Sequence, residues 1–126
     1  MKIILIAPYV DVTFEQSQEE VNRIDFIPSS ALLSLAAILR ANNYEPIILD
    51  FNNVAVDKHK KNYSDYCKKI VIDNLNKHKP DLVGINCLFS GVFPAVLDLA
   101  KVVKSHSPDL KIVIGGMHPT TFAKDI

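Results

Sequence analysis

The chain has 126 residues, and its 14 basic and 14 acidic side chains give a formal net charge of zero at pH 7. This length suits one domain with a hydrophobic core, and 48% apolar residues are ordinary for a globular protein. The balanced charge gives no electrostatic case for nucleic acid or an anionic membrane as partner, and no basic face is visible in the sequence. Because neither a secretory leader nor a run of roughly 18 apolar residues is visible, we expect a cytoplasmic domain without a membrane partner.

Four short apolar runs predict strands that are buried on both faces, as in a parallel sheet. They cover residues 2–7 (KIILIA), 45–51 (EPIILDF), 82–87 (LVGINC) and 110–114 (LKIVI). Polar connections without a clear period separate some of these runs, at residues 9–27 and 52–62.

Helical patterns alternate with the strands. Ser29 and Ser30 offer an N-cap hydroxyl to the first helix, and Asn42 and Asn43 suit its end. The core face of this helix is predicted at Leu32, Leu35, Ala36 and Leu39.

Three further helices are predicted. An amphipathic pattern covers residues 63–75. The next helix has Ser90 as its predicted N-cap and Pro94 in its first turn, and residues 120–126 predict the start of the last.

The order of these elements predicts a doubly wound α/β domain of the flavodoxin-like (Rossmann-like) kind. Strands that alternate with helices imply right-handed crossovers, a mostly parallel sheet and helices on both of its faces. Such sheets usually have a fifth strand. We therefore expect residues 1–126 to be one domain, truncated before its last strand and forming the N-terminal fragment of a longer protein.

Ligands of such sheets bind beyond the carboxyl ends of the strands. After the first strand this places Pro8 and Tyr9 at the site. The first glycine of the chain is Gly84, which excludes a glycine-rich phosphate loop after the first strand. After the third strand come residues 86–91, where Ser90, Gly91 and the backbone amides of a helix start can hold polar ligand groups. An ordinary strand-to-helix turn is the alternative there.

The fourth strand is followed by Gly115, Gly116 and His118. Paired glycines let a bulky planar ligand approach the backbone, or mark a tight loop that needs positive φ. His118 has no acid or thiol near it in the sequence. With no nucleophile elbow, metal-ligand pair or cysteine cluster, we expect no catalytic apparatus in the chain itself, and Cys67 and Cys87 are predicted to be reduced thiols.

Several segments, in this order, resemble one family. They are residues 27–40 (IPSSALLSLAAILR), 44–45 and 48–50, 83–90 (VGINCLFS) and 112–120 (IVIGGMHPT). Together they resemble the cobalamin-binding domain that precedes the catalytic barrel in many radical S-adenosylmethionine enzymes. The resemblance covers almost the whole chain, and its most distinctive part is the G-G-x-H-P-T segment.

The resemblance implies a module that holds the corrin ring over the carboxyl edge of the sheet and the nucleotide tail between strands and helices. It assigns cofactor binding to Asn86, Leu88 and Ser90, and to Gly115 and Gly116. The methionine-synthase relatives carry D-x-H-x-x-G in the first loop, and its His ligates cobalt. Residues 9–27 contain neither His nor Gly, so the resemblance implies base-off cobalamin without a histidine ligand from this loop.

The implied partner is a C-terminal radical S-adenosylmethionine domain of the same chain. It would bind S-adenosylmethionine and a [4Fe-4S] cluster through a C-x-x-x-C-x-x-C motif, which these 126 residues lack. The parent enzyme would perform methyl transfer or radical rearrangement. Two alternatives stay open: an interaction or sensing domain that keeps the fold without cobalamin, and a flavin or nucleotide module.

Overall fold

The computed structural model describes residues 1–9, 29–51, 63–88 and 90–125, and the structural statements below concern these residues. The elements in chain order are β1 (Lys2–Ala7), α1 (Ser30–Ala41), β2 (Glu45–Asp50), α2 (Tyr63–His78), β3 (Leu82–Asn86), α3 (Phe93–His106), β4 (Lys111–Gly115) and α4 (Met117–Phe122). Short 3-10 turns at Ser90–Val92 and Ala123–Asp125 precede α3 and follow α4. The two predicted polar connections, residues 9–27 and 52–62, lie outside the described residues except for Tyr9.

The described strands form one all-parallel sheet in the order β2-β1-β3-β4. This is the flavodoxin-like order, so the predicted fold class is confirmed. Each strand bound lies within one residue of its prediction. The strand order reverses between β1 and β3, and ligands of such sheets bind beside the carboxyl ends at this point.

The two faces of the sheet pack against different helices because successive side chains of a strand point to opposite sides. Ile4 and Ile6 of β1 join the larger core cluster, which includes residues of α2 and α3. On the other face, Ile3, Leu5 and Ala7 pack with residues of α1. Since α1 packs mainly on β1 and β2, the described residues cover the same face of β3 and β4 only in part.

The start and the end of α1 follow the prediction. The Ser29 hydroxyl accepts a hydrogen bond from the Leu32 N–H at 3.3 Å, which satisfies one free donor of the first turn. The Ser29 N–H itself donates to the Asp50 carboxylate at 3.0 Å, linking the start of α1 to the end of β2. At the other end, Asn43 adopts a φ of 67°, a conformation that asparagine tolerates.

The prediction that Ser90 caps α3 is wrong. The residue before the helix is Val92, which makes no side-chain capping bond, and Pro94 lies in the first turn as expected. With Ser90 as N-cap, Pro94 would be the fourth helical residue, where the first intrahelical bond needs an N–H. Because Pro94 has no N–H, the helix begins after the predicted position, and Ser90 begins the 3-10 turn instead.

The predicted start of the last helix is also wrong, because α4 begins at Met117 and not at Thr120. The Gly116 carbonyl accepts hydrogen bonds from the N–H of Thr120 at 3.3 Å and from its hydroxyl at 2.7 Å. These bonds close a helical turn over the predicted loop. Pro119 fits within it because N–H groups of a first turn have no helical partner.

Among the described residues, no helix combines the length and the hydrophobicity that a membrane crossing needs.

Candidate ligand-binding groove

The carboxyl ends of β3 and β4 form the rim of the candidate site. Asn86 lies opposite Gly115 in the register of the sheet. One residue further, the Cys87 N–H donates to the Gly115 carbonyl at 2.6 Å, so pairing continues past the end of β3. This pairing brings Asn86 and Leu88 next to Gly115 and Gly116, and all four line one groove.

The two rim glycines have different roles. Gly116 has a φ of 116° and a ψ of −172°, a backbone region that is open essentially to glycine alone. A Cβ at Gly116 would lie 2.7 Å from the carbonyl carbon of Cys87 and closer still to its oxygen. At Gly115, by contrast, no atom of the described residues beyond its two chain neighbours lies within 4 Å of a Cβ, so the missing side chain leaves open space at the rim.

A groove of about 620 Å³ runs from this rim between α1 and the partly covered half of the sheet. Its sheet side includes three rows of residues that lie opposite one another in the register. The upper row is Asn86 with Gly115, the middle row is Leu5 with Gly84 and Val113, and the lower row is Ile3 with Leu82. At about 3.3 Å per residue, the four steps from Asn86 to Leu82 make the groove roughly 13 Å long.

The groove is apolar below its rim. The wall that α1 contributes consists of Ala31, Leu32, Leu35, Ile38 and Leu39. Leu35 is 48% exposed and Ile38 is 61% exposed, although both are large apolar side chains. Side-chain polar atoms come only from Asn86, Thr120 and Thr121 among the described lining residues. Contiguous exposed apolar surface with a polar border is typical of a binding site.

Gly84 is a groove residue that the sequence prediction does not include. It lies in the middle row, where a Cβ would stand 3.1 Å from Cδ2 of Leu5. A side chain here would narrow the groove halfway along its length. A glycine inside a strand pattern indicates close approach of another group, and this signal could have identified it.

Four other predicted site residues, Pro8, Tyr9, Ser90 and Gly91, lie outside the lining of this groove. Pro8 and Tyr9 are buried at the end of β1, and Tyr9 belongs to the core cluster on the side of α2 and α3. Ser90 and Gly91 are exposed in the 3-10 turn before α3. His118 lies in α4, and its side chain is outside the described structure.

Cys87 lies directly beneath the rim, and its side chain is buried in the larger core cluster. Burial raises the pKa of the Cys87 thiol because desolvation disfavours the thiolate. Cys67 is buried in the same cluster, and both cysteines are free thiols, as predicted. Within the described part of the chain, no three His, Cys, Asp or Glu side chains are placed to hold a metal ion.

A parallel sheet in flavodoxin-like order, with an apolar groove opening at the carboxyl ends of its strands, defines a ligand-binding α/β domain. A family model described as the B12 binding domain matches residues 23–126. The chain therefore belongs to the B12-binding domain family, and this membership supports cobalamin as its ligand. No curated protein and no solved structure matches the chain significantly.

Proposed function

We propose that this domain binds cobalamin with the corrin ring above the rim and the nucleotide tail in the groove beside α1. The observation that carries the proposal is the groove itself, which is polar at the rim, apolar below it and widened in its middle row by Gly84. Its volume of about 620 Å³ falls within the range of about 300–1,000 Å³ that is usual for small-molecule sites.

The rim fits a broad, flat ring. Gly115 presents no side chain, and no described residue beyond its chain neighbours approaches the place where its Cβ would stand. Leu88 is an apolar residue that is 55% exposed at the same rim, and we assign it to contact with the ring face. Asn86 offers an amide that can bond the polar substituents around the macrocycle. When bound, the cobalt of the cofactor supplies methyl-transfer or radical chemistry.

Residues around the rim have supporting roles in this proposal. We assign Ser90 and Gly91 to polar contacts from the exposed 3-10 turn before α3. Pro8 and Tyr9 would then form the floor beneath the ring, because both are buried where β1 ends. His118 is assigned to the border of the site through its position at the start of α4.

The same arrangement predicts base-off cobalamin. A nucleotide base that occupies the groove is separated from the cobalt, and residues 9–27 contain no histidine to replace it. Electron paramagnetic resonance of protein-bound cob(II)alamin tests this, since an axial nitrogen splits the cobalt lines. We expect no nitrogen splitting. Splitting that appears with cobalamin and not with cobinamide, which has no nucleotide base, would contradict the base-off assignment.

We also propose that the domain serves a radical S-adenosylmethionine enzyme. The support is the ordered resemblance at residues 27–40, 83–90 and 112–120. We expect the gene to encode a C-x-x-x-C-x-x-C motif after this domain and the purified full-length protein to show iron–sulfur absorbance. A gene without the motif, or a reconstituted protein without that absorbance, would contradict this part of the proposal.

The binding proposal is tested by titrating the protein with hydroxocobalamin and following corrin colour through gel filtration. We expect a shifted spectrum and co-elution. Gly84→Val should weaken cobalamin binding by about tenfold or more, because the new side chain occupies the middle row of the groove. Valine favours strands and Leu5 can shift its flexible end, so we expect the variant to fold.

Cobinamide, a corrinoid that lacks the nucleotide tail, is the matched control ligand. Gly84→Val should bind cobinamide as tightly as the unchanged protein does. If cobalamin binds both proteins equally, the tail does not occupy the groove. If neither corrinoid binds the unchanged protein, the alternative of an interaction or sensing domain is favoured.

A further inference from the structure

We infer that the groove selects among cobamides by the polarity of the nucleotide base, binding a benzimidazole base more tightly than a purine. The inference rests on the proposed placement of the tail in the groove. It concerns the chemistry of the lower part of the groove, which family membership alone does not specify.

Within the described part of the chain, the two lower rows of the groove carry no side-chain hydrogen-bonding group. Leu5, Val113, Ile3 and Leu82 form these rows with Gly84, and the facing residues of α1 are apolar as well. The hydroxyls of Thr120 and Thr121 line the groove from α4, and the Thr120 hydroxyl already donates to the Gly116 carbonyl. The backbone of β3 cannot substitute, because β3 lies between β1 and β4 and its N–H and C=O groups belong to the ladders on both sides.

Benzimidazole and purine bases differ in the number of polar atoms that such a groove must accommodate. In the base-off state, dimethylbenzimidazole has one free ring nitrogen and adenine has three, together with an exocyclic amino group. A buried polar group without a partner lowers affinity by about 5-fold to 150-fold. We therefore expect cobalamin to bind at least about tenfold more tightly than the adenine-containing cobamide.

Two leucines of α1 provide a matched pair of positions for the test. Leu35 is 48% exposed and Leu33 is 51% exposed, and both lie within the same helix. Only Leu35 lines the groove. Glutamine is a good helix former, so substitution at either position preserves α1. Leu35→Gln adds a donor and an acceptor to the groove wall, whereas Leu33→Gln adds them elsewhere on the helix.

The experiment measures dissociation constants of cobalamin, adeninylcobamide and cobinamide for the unchanged protein and for the two variants. We expect Leu35→Gln to reduce the ratio of the dissociation constant of adeninylcobamide to that of cobalamin by about threefold or more. Leu33→Gln should leave this ratio unchanged. Circular dichroism melting curves establish that each variant is folded.

The outcomes separate this inference from the proposed function. If cobalamin and cobinamide both bind, but adeninylcobamide binds as tightly as cobalamin, the proposed selectivity is refuted and cobalamin binding stands. If Leu33→Gln changes the ratio as much as Leu35→Gln does, the groove wall is not its source and the inference is also refuted. If no corrinoid binds the unchanged protein, the proposed function fails, and the inference fails with it.

Discussion

Gly116→Ala should destabilise the domain by about 2–6 kcal/mol. The backbone at Gly116, with φ 116° and ψ −172°, costs a residue with a side chain about 1–3 kcal/mol. Its Cβ would also stand 2.7 Å from the Cys87 carbonyl carbon, and crowding of this kind costs a further 1–3 kcal/mol or so. The Cys87 carbonyl cannot move aside cheaply, because the N–H of the same residue is bonded to Gly115 at 2.6 Å.

Gly115→Ala is the matched control, since it adds the same methyl group one residue earlier. Among the described residues beyond the chain neighbours, no atom lies within 4 Å of that Cβ, so we expect a change within about 0.5 kcal/mol. Urea unfolding followed by circular dichroism measures both free energies, and melting should place Gly116→Ala roughly 8–24 °C below the unchanged protein. Equal stability of the two variants would refute the assignment of the β4–α4 turn to a strained glycine.

Two further changes test local interactions. Ser29→Ala should lower the free energy of unfolding by about 1 kcal/mol through loss of the hydroxyl that accepts from Leu32, and Ser30→Ala should lower it less because the neighbouring residue is not the N-cap. If urea unfolding gives equal losses of unfolding free energy for Ser29→Ala and Ser30→Ala, the assignment of Ser29 as the N-cap is contradicted. The raised pKa of Cys87 means that the unfolded chain loses the thiol proton first, so stability should fall as pH rises above the ordinary value of 9.0. Urea unfolding between pH 8 and pH 10 should show a smaller fall of stability in Cys87→Ala than in the unchanged protein. An equal fall in the two proteins would contradict the Cys87 thiol as its cause.

The sequence predicted the sheet well because buried parallel strands need continuous apolar runs. Lys2–Ala7 reads KIILIA, and few other structures bury such a run on both sides. The starts of α3 and α4 were harder to predict than the start of α1. Ser90 has the composition of an N-cap, but it lies two residues before Val92, the residue that precedes α3. Composition suggests which residue can cap a helix, whereas the backbone bonds available to proline decide where the helix begins.

The groove could not be predicted from periodicity alone. Leu35 fits the apolar stripe of α1 as well as Leu32 does, yet Leu32 is buried and Leu35 is 48% exposed. Helical spacing identifies the side of a helix that avoids water, but it does not distinguish cover by protein from cover by a ligand. That distinction depends on α1 packing mainly on β1 and β2, which only the three-dimensional structure reveals.

The placement of Tyr9 shows a related limit. The carboxyl ends of strands identify positions near a ligand, but they do not determine where each side chain points. Continuing the alternation of Ile3, Leu5 and Ala7 would put Tyr9 on the face of α1. Because β1 ends at Ala7 and Pro8 follows, the alternation stops, and the Tyr9 ring joins the core cluster on the opposite side.

Three of the four glycines line the groove, and their roles are physically distinct. Gly116 is needed for its backbone conformation, so its replacement should act on folding. Gly84 lies in an ordinary strand without a positive φ, so a side chain there does not strain the backbone but would occupy the space between Leu5 and Val113. Stability measurements on Gly116→Ala and binding measurements on Gly84→Val therefore examine separate requirements of the same site.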